Sequence, residues 1–147
     1  MPYLKVWVHM VWATKDRSPL LNKEIRPELF RHIRENAVKK DIYVEFVNGY
    51  VEHVHALVSL KGDQPISRIA QLLKGESTHW ANQKNLLSPR LDWQDDYAAF
   101  SVSETDVEVV REYIRNQEDH HHKRTFAEEY AELLTKHGLK AGEIQTH

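Results

Sequence analysis

Gly49-Tyr50-Val51-Glu52-His53-Val54-His55-Ala56-Leu57-Val58-Ser59-Leu60 is the stretch around which the rest of the chain is organised. Successive side chains on a β-strand alternate faces, so His53 and His55 point the same way, one pleat apart. Glu52, Val54, Ala56, Val58 and Leu60 fill the opposite face, which is apolar after its first position and suited to packing against helices. Two imidazoles on one face of a rigid strand make half of a metal site. They also suit two idle, hydrogen-bonded sheet histidines, so the decision rests on the remaining sequence.

Working outward, Asp41-Ile42-Tyr43-Val44-Glu45-Phe46-Val47 reads as the preceding strand, and Asn48-Gly49 as the hairpin turn that joins the two. Tyr3 to Ala13 is β-branched and aromatic, as a central strand would be. After the polar turn Thr14–Pro19, Ile25, Leu29, Ile33 and Ala37 recur at helical spacing. Pro27 fits only the first turn of such a helix, which places its start between Glu24 and Arg26. Ile66, Ile69, Ala70 and Leu73 mark a second helix, and Ala98–Ser103 a fourth strand. Thr105-Asp106-Val107-Glu108 has the form of a capping box for a third helix, with Val107, Val110 and Ile114 as its core stripe. Tyr113 and Gln117 lie one turn apart on the adjoining stripe. A last helix runs from Phe126 to His137 and is closed by Gly138, and the tail after Lys140 is expected to fray.

The order strand-helix-strand-strand-helix-strand is the split β-α-β pattern. It predicts an α+β, ferredoxin-like (RRM-like) antiparallel sheet, β-α-β-β-α-β, with added C-terminal helices. In that topology the first and third strands are central. The histidine pair therefore lies mid-sheet, on the face the two crossover helices leave open. A third helix laid over that face would carry Tyr113 and Gln117 to the histidines.

The 147 residues suit a single domain, 1–147. No apolar run approaches a membrane span, a signal-peptide pattern is missing, and the expected location is cytoplasmic. The absence of cysteine excludes disulfides and thiolate chemistry. Ten histidines leave imidazole and oxygen as the available metal ligands. The net charge of −2 does not mark a general nucleic-acid binder, so phosphate binding would need a local basic patch.

Two neutral imidazoles and an amide oxygen make a three-ligand site that leaves a divalent cation its full charge for an anionic substrate. A tyrosine one helical turn from the third ligand could attack phosphorus there. Its phenol, with an ordinary pKa of about 10, would need nearby positive charge to become the phenolate.

His53-Val54-His55 resembles the His-hydrophobe-His motif of HUH nucleases. Tyr113-Ile114-Arg115-Asn116-Gln117 resembles the Tyr-x-x-x-Gln helix of the single-tyrosine transposases of the insertion-sequence-200 type (TnpA-like, including REP-associated tyrosine transposases). Val11 to Leu21, Leu73-Lys74-Gly75 and Trp93 to Ser103 are similar to further segments of that family, so the resemblance covers about residues 4–137. Position 96 departs from it, with aspartate where the family pattern has glycine.

The resemblance implies metal-dependent cutting and rejoining of single-stranded DNA at hairpin-marked ends, that is, DNA transposition or recombination by a homodimer. It implies Tyr113 as the nucleophile of a 5′-phosphotyrosine intermediate, and His53, His55 and Gln117 as ligands of Mg²⁺ or Mn²⁺. No nucleotide cofactor is expected, because the covalent link conserves the bond energy, and no membrane partner is expected, because no apolar run is long enough. Lys15, Arg17, Lys74 and Arg124 are candidates for DNA contact. His9 and His121 are candidates for groups behind the metal ligands. Trp93 reads as a core residue and Trp80 as either core or base-stacking. The rival functions are a non-catalytic hairpin-DNA-binding relative and a metal phosphoesterase that uses water.

Overall fold

In the computed structural model, residues 3–139 are described, and the tail beyond Lys140 lies outside them. The strands β1 (Val6–Ala13), β2 (Tyr43–Gly49), β3 (His53–Leu60) and β4 (Ala98–Val102) form one antiparallel sheet in the order β2-β3-β1-β4. The histidine strand is thus central, as the split β-α-β order requires. Every residue of β1 after Val6 is buried, because helices cover both faces of the sheet.

On one face Val8, Met10 and Trp12 of β1, with Val54, Ala56 and Val58 of β3, pack against α1 (Arg26–Lys39) and α2 (Ile66–Gln83). Pro27 stands in the first turn of α1, where its missing N–H costs no helical bond. Trp93 is buried in the same core and its indole N–H donates to Ser77 Oγ at 3.0 Å. Trp80 stacks on His32 with ring centroids 3.8 Å apart. No helix among the described residues is long and apolar enough to cross a membrane.

The other face carries Trp7, His9, Val11, His53, His55 and Leu57. Three helices cover it: α3 (Val107–Arg115), α4 (Gln117–His121) and α5 (Phe126–Lys136). Helix α5 opens with a complete capping box between Thr125 and Glu128 and ends at Gly138, whose φ of 76° is the left-handed stop.

Three local expectations are corrected. Asn48 and Gly49 are not the turn; they are still paired, with His55 and Val54, and the chain reverses over Tyr50–Glu52. Glycine is needed at 49 because a Cβ there would collide with the backbone carbonyl of His53. Asn48 instead donates through Nδ2 to the carbonyl oxygens of Ile114 (2.9 Å) and Arg115 (3.1 Å), tying the end of α3 to the sheet edge. The Thr105 capping box does not form. Residues Glu104–Asp106 make a 3-10 turn, and the Thr105 hydroxyl meets that of Ser103. Finally, the helix bearing Tyr113 breaks at Asn116, so Tyr113 belongs to α3 and Gln117 starts α4.

Candidate metal and nucleophile site

Strand β3 delivers both imidazoles with no exposed surface. His53 Nδ1 donates to Glu52 Oε1 at 2.7 Å, and its Nε2 donates to Gln117 Oε1 at 2.8 Å. Both partners are acceptors, so both ring nitrogens carry hydrogen. Burial opposes that charge, but the carboxylates of Glu129 and Glu52 outweigh it and hold the His53 pKa above its usual value. Coordination through Nε2 would release this proton. Glu52 is thus not on the helix-covered face, as strand alternation suggested, but in the turn, where it orients His53.

His55 differs. Its Nδ1 shares a 2.7 Å hydrogen bond with His9 Nε2, while its Nε2 is buried with no hydrogen-bond partner among the described residues. Burial lowers its pKa to about 4, so the ring is neutral. His9 is likewise buried, with its pKa pushed well down by burial and by His55. A neutral ring held at one nitrogen with the other nitrogen unpartnered is the arrangement a metal ligand requires.

At the centre stands a residue sequence reasoning missed. Glu129 of α5 is fully buried, and its Oε1 lies 3.3 Å from His53 Nε2 and 3.4 Å from His55 Nε2. Donor atoms around one divalent ion at about 2.1 Å are separated by roughly 3.0–3.4 Å, so these spacings match a shared ion. His53, His55 and Glu129 can therefore hold a divalent metal. Glu129 Oε1 also receives His121 Nε2 at 2.9 Å, and its Oε2 receives Gln117 Nε2 at 2.7 Å and the hydroxyl of Tyr113. Burial alone would raise this carboxyl's pKa, but His121, His53 and His55 hold it far below the usual carboxylate range.

Tyr113 is half-buried. Burial and then the Glu129 charge push its phenol well above the ordinary pKa, and Arg124 Nη2, 3.3 Å from the hydroxyl oxygen, pulls the other way.

A family sequence model described as "Transposase IS200 like" matches residues 3–117. The chain belongs to the IS200-like transposase family. The family expected from the motifs is the family found. This IS200-like transposase is 28% identical over 119 residues to ISDra2 transposase TnpA of Deinococcus radiodurans, across 76% of this chain and 83% of that relative. The crystal structure of a Deinococcus radiodurans R1 protein described as a transposase shares its fold. The TM-score is 0.62 at 25% identity, over 79% of this chain and 93% of the other. The structure of a REP-associated tyrosine transposase bound to a REP hairpin superposes with a TM-score of 0.58 at 21% identity, over 100% of this chain and 93% of that one.

The other expected residues of the transposase divide. Arg124 sits at the Tyr113 hydroxyl and also pairs with Glu132. Arg17 lies over the rings of Phe126 (5.1 Å) and Tyr130 (5.8 Å), and Phe126 stacks on His53 at 4.1 Å. Lys15 faces Asp92 at 3.9 Å. Lys74 is turned inward, donating to the carbonyl oxygens of Gln94 (2.6 Å) and Asp95 (2.9 Å), so it braces the loop before β4. Of the three consecutive histidines, His121 joins the cluster and stacks on Tyr50 (5.2 Å), His120 leans on Tyr113 (4.9 Å), and His122 is exposed.

Proposed function

We propose that this transposase cuts and rejoins single-stranded DNA at hairpin-marked ends through a 5′-phosphotyrosine on Tyr113. The observation that carries this reading is the convergence of Tyr113, Gln117, His53 and His55 of one chain on the Glu129 carboxylate. A water-using phosphoesterase has no need of a tyrosine held there, and a simple hairpin binder has no need of a sealed ligand cluster.

On this reading His53, His55 and Glu129, with the Gln117 oxygen beside them, hold Mg²⁺ or Mn²⁺. Two imidazoles favour the later of the two, and the two oxygens admit either. The bound ion would supply charge to the scissile phosphate and its departing oxygen. The Tyr113 oxygen bonds to phosphorus, the bond from phosphorus to O3′ breaks, and a 3′-hydroxyl leaves. Glu129 Oε2 is the acceptor already bonded to the phenol hydrogen, and Arg124 balances the phenolate charge. Attack by a 3′-hydroxyl on the phosphotyrosine reverses these steps without a nucleotide cofactor.

The histidines, Gln117 and Glu129 have no exposed surface, whereas Tyr113 and His9 line a pocket of about 290 Å³ between β4, α3 and α5. We assign the strand's entry to this pocket, with Lys136 on its wall as a phosphate partner and an outward shift of α5 to admit the phosphate. The REP-associated relative binds a hairpin, and we extend that ligand class to this chain. Each protomer of the expected homodimer would carry a complete site.

The test is a denaturing gel with 3′-labelled single-stranded hairpin substrates, with Mg²⁺ or Mn²⁺, for wild type and Tyr113→Phe. A slow-migrating covalent band in wild type alone supports the reading. Multiple-turnover cleavage that survives Tyr113→Phe would replace it with a hydrolase. Hairpin binding without cleavage over a broad panel would replace it with a non-catalytic binder.

A further inference from the structure

Strand register puts a third histidine behind the first two. His9 of β1 pairs with Leu57 of β3, so its ring is the diagonal neighbour of His55 on the same sheet face. The two ring centroids are 5.0 Å apart, and the 2.7 Å contact between His9 Nε2 and His55 Nδ1 is the one hydrogen bond His9 makes among the described residues. His9 Nδ1, across the ring, has no such partner. The sealed polar side-chain atoms without one, among the described residues, are Trp12 Nε1 and His55 Nε2. His9 Nδ1 is not one of them, so it keeps an opening, and its ring lines the pocket of about 290 Å³ that Tyr113 and Lys136 share.

Counting hydrogens gives each end of the ring a task. A ring nitrogen that binds a metal carries no hydrogen, so His55, as a ligand through Nε2, keeps its single hydrogen on Nδ1. That N–H donates to His9 Nε2, which must then be a bare acceptor. A cationic His9 would set two N–H groups against each other across 2.7 Å. His9 is therefore neutral, with its one hydrogen on Nδ1, the nitrogen with the opening. The opposite arrangement, a hydrogen on His9 Nε2 donated to His55 Nδ1, would move the His55 hydrogen to Nε2 and block ligation there.

We propose that His9 acts at both ends: its Nε2 positions His55 as a metal ligand, and its Nδ1–H donates to a phosphate oxygen of the DNA strand in the Tyr113 pocket. The second half rests on the reading of Tyr113 as the nucleophile of DNA cleavage. The His9 and Tyr113 ring centroids are 6.1 Å apart, close enough for one phosphate to meet both side chains. A donor fixed by packing and by its bond to His55 needs no reorientation as negative charge builds on the phosphate oxygens. Ligation at His55 and donation to the phosphate are thus coupled, because the tautomer that permits the first supplies the second.

Two conservative variants of the full chain separate the ends. In His9→Gln the amide oxygen can take the place of Nε2, and in His9→Asn the amide NH₂ can take the place of Nδ1. Two quantities are read: Mn²⁺ affinity, from the electron paramagnetic resonance signal of the free ion, and the single-turnover rate of adduct formation on a 3′-labelled hairpin substrate at saturating Mn²⁺. His9→Gln should bind Mn²⁺ as wild type does and form adduct about ten- to a hundredfold more slowly. His9→Asn should bind Mn²⁺ about ten- to a hundredfold more weakly and, once saturated, form adduct at close to the wild-type rate. Long-range ¹H–¹⁵N correlation spectra of Mg²⁺-loaded wild type should place the hydrogens of His9 and His55 both on Nδ1. A hydrogen on His9 Nε2 would overturn the proposal without any variant. Unchanged Mn²⁺ affinity in His9→Asn would overturn the positioning half, and a wild-type adduct rate in His9→Gln the phosphate contact. Wild-type behaviour of both variants in both measurements would leave His9 a packing residue while the Tyr113 reading stands. Absence of adduct in wild type would overturn the Tyr113 reading and the phosphate contact together, and the Mn²⁺ affinities would still decide the hold on His55.

Discussion

Removing the Glu129 carboxylate should affect the fold, the capacity to hold a metal and the Tyr113 hydroxyl together. In Glu129→Ala the Tyr113 hydroxyl, the Gln117 amide and the His121 ring all lose their acceptor, at a position where Glu129 and Gln117 have no exposed surface. Breaking a buried charged network by deleting one partner costs about 3–5 kcal/mol. For a domain of this size each kcal/mol moves the melting temperature by about 2–4 °C, so a fall of roughly 10 °C is expected. Glu129→Gln keeps the shape and one carbonyl acceptor, so its loss in metal-free protein should be smaller, about 1–3 kcal/mol. The metal response separates the two roles. An ion present at a hundred times its Kd stabilises the native state by about 2.7 kcal/mol, a rise of about 5–10 °C. Differential scanning fluorimetry with and without Mn²⁺ should show that rise in wild type. It should be largely absent in Glu129→Gln, because a ligand charge is gone and an amide NH₂ faces the histidines. An unchanged Mn²⁺ response in Glu129→Gln, with an unchanged melting temperature, would refute the placement of Glu129 at the centre of the site.

Other outcomes follow from the same geometry. Gly49→Ala forces a Cβ into the His53 carbonyl and should cost about 1–3 kcal/mol or more in chemical denaturation; an unperturbed denaturation midpoint would deny the close approach. Lys74→Met should lower stability by about 1–2 kcal/mol without altering the salt dependence of DNA binding, since its ammonium caps carbonyls; a reduced slope would return Lys74 to the DNA surface. Metal-free protein should lose stability on acidification. His55, whose pKa falls from 6.5 to about 4 on folding, is protonated first in the unfolded chain, which costs roughly 3 kcal/mol between those pH values. His9 acts in the same direction, while the raised His53 pKa adds stability below pH 6.5 that is lost as pH rises through its folded value, and so partly offsets them. A melting temperature that is flat or rising from pH 6.5 to 4 in chelator would contradict these assignments.

Strand order, the central place of the His53/His55 strand and the covering third layer were legible because alternation and helical period act locally and each element is strongly patterned. The histidine pair was legible for the same reason, since one pleat fixes their common face. Local signals misled where a tertiary contact overrode them. Asn48-Gly49 is a strong turn signal, yet Gly49 answers a close backbone approach and Asn48 a helix end that lies 66 residues away from it in sequence. Thr105 had the spacing of a capping box, but Thr125 formed one.

Glu129 shows what a pattern reading can still recover. Val107, Val110, Ile114, Gln117 and His121 recur at three- and four-residue spacing, so Gln117 and His121 continue a core stripe rather than face solvent. On α5, Phe126, Glu129, Tyr130, Leu133 and Leu134 make a stripe in which Glu129 is the one charged member. A carboxylate in a buried stripe is stable only with partners. Nothing local says which partners, because Gln117, His121, Tyr113 and the β3 histidines reach it from three other elements. The physical demand was nonetheless present in the sequence. Two polar residues on one core stripe and a carboxylate on another, in a chain whose central strand carries paired histidines, leave each group needing what the others offer. Burial without mutual satisfaction would cost each of them about 1–3 kcal/mol, so the fold is stable only if the stripes meet over His53 and His55. The same requirement that closes the third layer therefore places Tyr113 beside Glu129 and the β3 histidines.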